Sequence, residues 1–249
     1  MFKKYPIYQN DFVCSDSAEE ESPSWKKTCM FASSFCTCVC SFVLICVVLA
    51  TPQWVSSQVR FSGTISNVTI SLRYGLFTAT CEQFVEAGIQ VMENTFQVTD
   101  ALGSGSSRSL NIATIVVLVL ALLSSLLSSG FTCTNAVSNP YQTFLGAVGV
   151  YTWNSVCGVL ILLAMILFPV NVEANRLSED LARGGCSTPL QTPLGSKHNY
   201  GYSYWIMLLI LFLNIASLTI IYFYDHARYS KKKEQERPIE NAPKDVILF

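Results

Sequence analysis

The chain has 249 residues, of which 51% are hydrophobic and 13% charged, about half the charge of an ordinary soluble domain. A net charge of −1 averages an acidic run at residues 16–21 against basic residues at Arg228, Lys231, Lys232, Lys233 and Arg237, which excludes the one-sided basic surface of a nucleic-acid binder. Composition therefore points to lipid as the solvent for much of the chain.

In chain order, residues 1–28 form an N-terminal tail, followed by an uncharged apolar run at 29–50. A loop at 51–109 leads to a second run at 110–132, a link at 133–142 to a third at 143–170, and a loop at 171–203 to a fourth at 204–224, with a tail at 225–249. Each run reaches the roughly 20 residues that a helix needs to cross a bilayer core, and none contains Asp, Glu, Lys or Arg. The expected fold is all-α in the membrane, a four-helix transmembrane bundle. A signal peptide competes for the first run, but that run is longer than such a segment and starts behind an acidic tail.

Lys26 and Lys27 precede the first run, and the basic cluster from Arg228 to Lys233 follows the fourth. By the positive-inside rule both termini are expected in the cytosol, and four crossings agree, since an even number returns the chain to its starting side. The loops at 51–109 and 171–203 then face outside, in an oxidising compartment. The first of them holds Asn67-Val68-Thr69, an acceptor for N-glycosylation, in the place where the transferase works. Directly after Asn67, Val68, Ile70, Leu72 and Tyr74 alternate with Thr69, Ser71 and Arg73, the period of a half-buried strand.

No catalytic, metal-binding or cofactor-binding constellation is expected. There are two histidines, His198 outside and His226 inside, so no histidine pair shares a metal or a proton. Glu82, Glu86, Glu93, Glu173 and Asp180 fall in no catalytic spacing and read as solvated surface. The helices carry no charge for a proton relay or an ion path, so transport and enzymatic activity are disfavoured.

The ten cysteines divide by compartment. Cys29 and Cys133 stand at the cytosolic membrane boundary, where palmitoylation competes with plain packing. Outside are Cys81 and Cys186, one per loop, and the count permits one intramolecular bridge. Spacing cannot place their Cα atoms within bonding range, so free thiols remain the alternative. In the second helix Ser124, Ser125, Ser128 and Ser129 repeat small residues four apart, which suits close helix contact in lipid. Gly149 and Asn154 on the third helix and Asn214 on the fourth are the matching packing and hydrogen-bonding positions. The terminal Ile247, Leu248 and Phe249 fit a PDZ domain, which takes a free carboxylate and alternate apolar side chains as an added strand.

Several phrases then line up with one family. "TPQW" after the first helix, "YGLF" in the first loop, "LGAVGVYTWN" entering the third helix, "ILF" near its end, "LSEDL" beyond it and "YGYSYW" entering the fourth resemble the clarins, small four-pass membrane proteins. "SSLLSSGFT", "SNPYQTFLG" and "APKDVILF" set the chain nearest one member, while the tail before Cys29 is longer than the family's. More distantly, Trp54, Gly75-Leu76-Phe77 and Cys81 are similar to the claudin superfamily's first-loop signature. There Phe77 stands in place of a Trp, and only one cysteine follows at short range. That likeness implies a claudin-like fold, with a small extracellular antiparallel β-sheet on the bundle. Val68 to Tyr74 would be one strand of that sheet, its apolar side chains toward the helices and Asn67 free for a sugar. A tetraspanin is disfavoured, since the larger loop is the first and the second lacks Cys-Cys-Gly.

The expected function is that of a non-enzymatic, clarin-like organiser or scaffold of the plasma membrane, with lateral membrane-protein partners around the bundle and, through Phe249, a cytosolic PDZ adaptor. Family roles in hearing, in the upkeep of hair bundles and synapses, attach mainly to other members. The alternatives are an auxiliary subunit of a channel or transporter and, least favoured, a transporter or enzyme.

Overall fold

The structure, a computed structural model, describes residues 17–62, 67–85, 90–137, 146–186 and 192–236. Four long helices dominate: α1 (Ser17–Ala50), α3 (Ser106–Val137), α4 (Ala147–Glu173) and α6 (Tyr202–Glu236). Between them lie strands β1 (Val55–Phe61), β2 (Val68–Tyr74), β3 (Thr78–Val85), β4 (Gln90–Gln97) and β5 (Pro193–Tyr200), with the short helices α2 (Val98–Ala101) and α5 (Leu177–Gly185). This is the expected bundle with a small antiparallel sheet, a claudin-like arrangement.

Each long helix contains a stretch apolar and long enough to span a bilayer: Thr28–Ala50, Ser106–Val137, Ala147–Glu173 and Tyr202–Ala227. The chain is thus a multi-pass membrane protein. α1 packs against α3 and α6, and α4 packs against the same two, so the four form a ring with α1 and α4 on the diagonal. Ile45, Leu118, Ile161 and Ile210 point inward and are buried, whereas Val43, Leu120, Val159 and Phe212 face outward. Outward apolar side chains are what a hydrocarbon solvent demands.

The helices outlast their apolar runs. α3 begins at Ser106, ahead of the run expected at 110–132, and continues to Val137 through part of the link expected at 133–142. Thr134 and Asn135 each donate a side-chain hydrogen bond to the carbonyl four residues back, which lets the last turns continue on polar residues. α1 likewise starts at Ser17, inside the stretch taken as a tail. Within α4, Pro169 has no N–H to give the carbonyl of Met165. The Tyr204 hydroxyl of α6 donates to that carbonyl instead, at 3.2 Å, and so satisfies the backbone group that the proline leaves open.

The sheet has the order β4-β3-β2-β1-β5, every pair antiparallel. Three hairpin connections generate β1 to β4 from the first loop, as alternation and the claudin likeness suggest. The fifth strand comes from the second loop and pairs with β1, Val55 opposite Tyr200 and Phe61 opposite Pro193. In β1 the side chains alternate strictly, Val55, Ser57, Val59 and Phe61 buried and Ser56, Gln58 and Arg60 exposed. On β2, Ile70, Leu72 and Tyr74 are buried and Val68 is half-buried, the face expected from the sequence. Cap and bundle share one apolar core, running from Ile45 and Phe168 to Phe61 and Leu181.

Candidate functional site

The chain's recognisable surface is the cap, and its attachment to the bundle begins at Trp54. This side chain is fully buried, its indole N–H donating to the Val48 carbonyl at 2.9 Å and its ring lying 4.6 Å from that of Phe168. Its backbone N–H donates to the Tyr74 carbonyl at 3.1 Å, and its own carbonyl accepts from Gly201 N–H at 2.8 Å. Three crossings of the chain thus meet at one residue. They come so close that glycine is required: a Cβ on Gly75 would lie 2.6 Å from the Thr51 carbonyl oxygen, and one on Gly201 would collide with that of Gln53. Beside them Leu76 is buried and its carbonyl accepts from the Asn111 amide of α3 at 3.1 Å, whereas Phe77 remains 43% exposed.

α5 clamps the cap from beneath. Its sequence, LSEDLARGG, sets Leu177 and Leu181 four apart with acids in the first turn and Arg183 in the last, the pattern of a short amphipathic helix. Both leucines are fully buried. At its C-terminal end Gly184 lies against the backbone of Ala101 and Gly185 against the Phe96 ring, so close that neither admits a Cβ. The Asn94 amide donates to the Gly185 carbonyl at 3.0 Å, and Cys186 is bonded to Cys81 of β3, their Cα atoms 6.2 Å apart. At the other end Asp180 accepts a hydrogen bond from Ser107 of α3, whose carbonyl accepts from Asn171 of α4.

A polar seam lies between α5 and the sheet. The His198 ring on β5 has Nδ1 2.9 Å from the Ser57 hydroxyl and 3.2 Å from that of Ser178, and Nε2 3.1 Å from Ser196. The Tyr74 phenol reaches the same Ser178 at 2.8 Å, and full burial raises its pKa well above the ordinary tyrosine range. The Tyr200 phenol, pushed up to about 12 by desolvation and then by the Glu173 charge, stays protonated and donates to Glu173 at 3.4 Å. Although serine and histidine meet here, the hydroxyls and ring are spent on joining β1, β2, α5 and β5. Among the described residues no three His, Cys, Asp or Glu side chains converge as metal ligands.

Beside the seam is an open cleft of 390 Å³ between the last turn of α4, the first turn of α5 and the start of β5. Glu173, Arg176, Glu179 and His198 line it. Arg176 stands at φ 53°, in the left-handed region, which costs a side chain roughly 1–2 kcal/mol. It lies 3.8 Å from Glu179 as an ion pair.

The model of the Clarin-2-like family matches residues 25–221 of this chain. The chain belongs to the clarin family. Human clarin-3 is 46% identical over 227 residues, 91% of this chain and all of the relative, and mouse clarin-3 matches at the same identity and coverage. Human clarin-2 is 25% identical over 80% of the chain and 88% of its own length. This clarin therefore stands much nearer the clarin-3 sequences than that clarin-2.

The remaining expected sites fall as follows in this clarin. Asn67 is exposed just before β2, at the end of the sheet farthest from Trp54. Cys29 and Cys133 are unpaired and exposed on α1 and α3. Ser125 donates to the Cys38 carbonyl of α1 at 3.3 Å, and the Ser128 hydroxyl lies 3.5 Å from the Cys38 sulfur. Ser124 and Ser129 are buried too but bond to carbonyls of their own helix. Asn154 donates to the Asn214 carbonyl at 3.1 Å, the Asn214 amide reaches the Cys157 sulfur at 3.7 Å, and Gly149 is buried. Ile247, Leu248 and Phe249 lie outside the described residues, as does Glu86. Missed in the sequence were β5, the seam around His198 and the buried Glu179. The strand PLGSKHNY has no apolar alternation to find, while the helix signature in LSEDLARGG was present.

Proposed function

We propose that this clarin is a non-enzymatic organiser of the plasma membrane, presenting its cap outside the cell and gathering lateral membrane-protein partners around its bundle. The observation that carries the reading is the cap itself: both loops are folded into one sheet whose outer face is polar, with Ser56, Gln58, Arg60, Arg73, Glu93 and Lys197 exposed. A rigid surface tied to four membrane helices suits recognition. The buried polar groups near it serve as joints.

On this reading both termini are cytosolic, Asn67 carries a sugar, the Cys81–Cys186 bond persists in the oxidising compartment, and Phe249 is offered to a PDZ adaptor. Palmitoyl groups on Cys29 and Cys133 would add anchorage at the cytosolic boundary. Upkeep of sensory cells in hearing is the physiological setting that the family resemblance implies. The test is cross-linking in intact cells, then purification through a cytosolic tag and quantitative mass spectrometry. An organiser yields several membrane proteins at less than one copy each. A single channel or transporter recovered in fixed stoichiometry would overturn it in favour of the auxiliary-subunit reading.

A further inference from the structure

The cleft between α4, α5 and β5 has no role in the organiser reading, and its chemistry is specific. The Glu179 side chain is only 11% exposed, and among the described residues its carboxylate has one partner, the Arg176 guanidinium at 3.8 Å. That separation is beyond hydrogen-bond range, so the carboxylate keeps unused acceptor capacity toward the cleft. Glu173 adds a second carboxylate on the same wall. Arg176, 71% exposed, stands at the mouth with its donors open. His198 spends both ring nitrogens on Ser57, Ser178 and Ser196, which leaves Glu179, and the part of Glu173 not engaged by the Tyr200 hydroxyl, as the acceptors. Gly195, at φ +152°, leaves one position of the β5 wall without a side chain, between Leu194 and Ser196.

Position narrows the ligand. Glu173 is the last residue of the α4 membrane span, and the α6 span begins at Tyr202. Tyr200, whose hydroxyl reaches Glu173 of the cleft, packs tilted against Tyr204, which meets Trp205 edge-on, with ring centroids 4.8 and 5.7 Å apart and Trp205 57% exposed. Tyrosine and tryptophan collect where hydrocarbon meets headgroups. The cleft therefore stands beside the outer ends of two membrane-length apolar helices, with both signs of charge side by side.

We propose that it seats the headgroup of a phosphatidylethanolamine-type lipid, the ammonium against Glu179 and Glu173 and the phosphate against Arg176. A primary ammonium donates three hydrogen bonds to such acceptors, whereas a choline headgroup donates none. The inference needs the membrane spans but neither the organiser role nor any partner.

The experiment is native mass spectrometry of the purified full chain in detergent with phosphatidylethanolamine, phosphatidylcholine or phosphatidylglycerol of equal chain length. The wild type should retain ethanolamine lipid roughly tenfold or more over choline lipid, the worth of one charge-assisted hydrogen bond. Glu179→Gln should bring that ratio near one. Glu173→Gln, on an exposed side chain, should lower it in part. Arg176→Asn, whose new residue tolerates the left-handed backbone, should weaken both zwitterionic lipids. A thermal unfolding temperature within a degree or so of the wild type's verifies that each variant is folded, and phosphatidylglycerol, which has the phosphate but no ammonium, should respond to Arg176→Asn and not lose binding on Glu179→Gln. Equal retention of the ethanolamine and choline lipids, or a preference that survives both carboxylate substitutions, would overturn the site. Soluble phosphoethanolamine held as tightly as the lipid would overturn the lipid as occupant.

Discussion

The cap and the bundle are one continuous chain, yet they are held by different means. In the cap a disulfide, a fully buried tryptophan and glycines without room for a Cβ fix each strand at one position. In the bundle the specific contacts are small and polar: the Ser34 and Ser217 hydroxyls at 2.6 Å, Ser125 on the Cys38 carbonyl, Asn154 on that of Asn214. The contrast follows from the solvent. Water drives the apolar cap residues together, whereas lipid tails give helices no such drive and leave them to packing and weak hydrogen bonds. A protein with two solvents concentrates its large single-residue energies in the wet part.

The comparison predicts a ranking. Replacing Cys81 and Cys186 by serine should have the largest effect, since a bond across a sequence separation of 105 constrains the unfolded chain by about 4–5 kcal/mol in the loop-entropy model. Hydrogen exchange should speed up sharply at the amides of α5 and β5 and little in α3 and α4. Trp54→Ala comes next, at roughly 3–5 kcal/mol for a large buried aromatic, read as a lower unfolding temperature of the purified protein. An equally large loss from any single polar residue of the bundle would break the comparison.

Asn154→Leu should cost much less, about 0.6–2 kcal/mol as for other hydrogen bonds between membrane helices, measured by the same thermal unfolding. Asn67→Gln should leave stability unchanged, since the side chain is exposed and its only expected partner is a sugar. Its readout is the loss of an endoglycosidase-sensitive mobility shift. A wild type that shows no such shift would count against glycosylation at Asn67.

Legibility in the sequence divides along the same line. The bundle was readable because charge exclusion over 20 residues is a strong local signal, and β2 because Val68, Ile70, Leu72 and Tyr74 alternate. The ends of α3 were not, because Ser106 and Thr134 are compatible with helix or loop and only backbone continuity decides. β5 was invisible since an edge strand that leaves Leu194, Ser196 and Lys197 exposed carries no inward face to detect. Nothing in SEDL marks Glu179 as the buried acid beside the exposed Asp180, since only the packing of α5 against its neighbours sets the two apart. The bridge was only countable: pairing Cys81 with Cys186 needed the two loops in one sheet.

That pairing is also where the account is most directly tested. Protein purified from secretory membranes under alkylating, non-reducing conditions should yield on digestion one peptide pair joined through Cys81 and Cys186, separated by reductant. Recovery of both residues as alkylated free thiols would contradict a cap built from two loops and tied as one body.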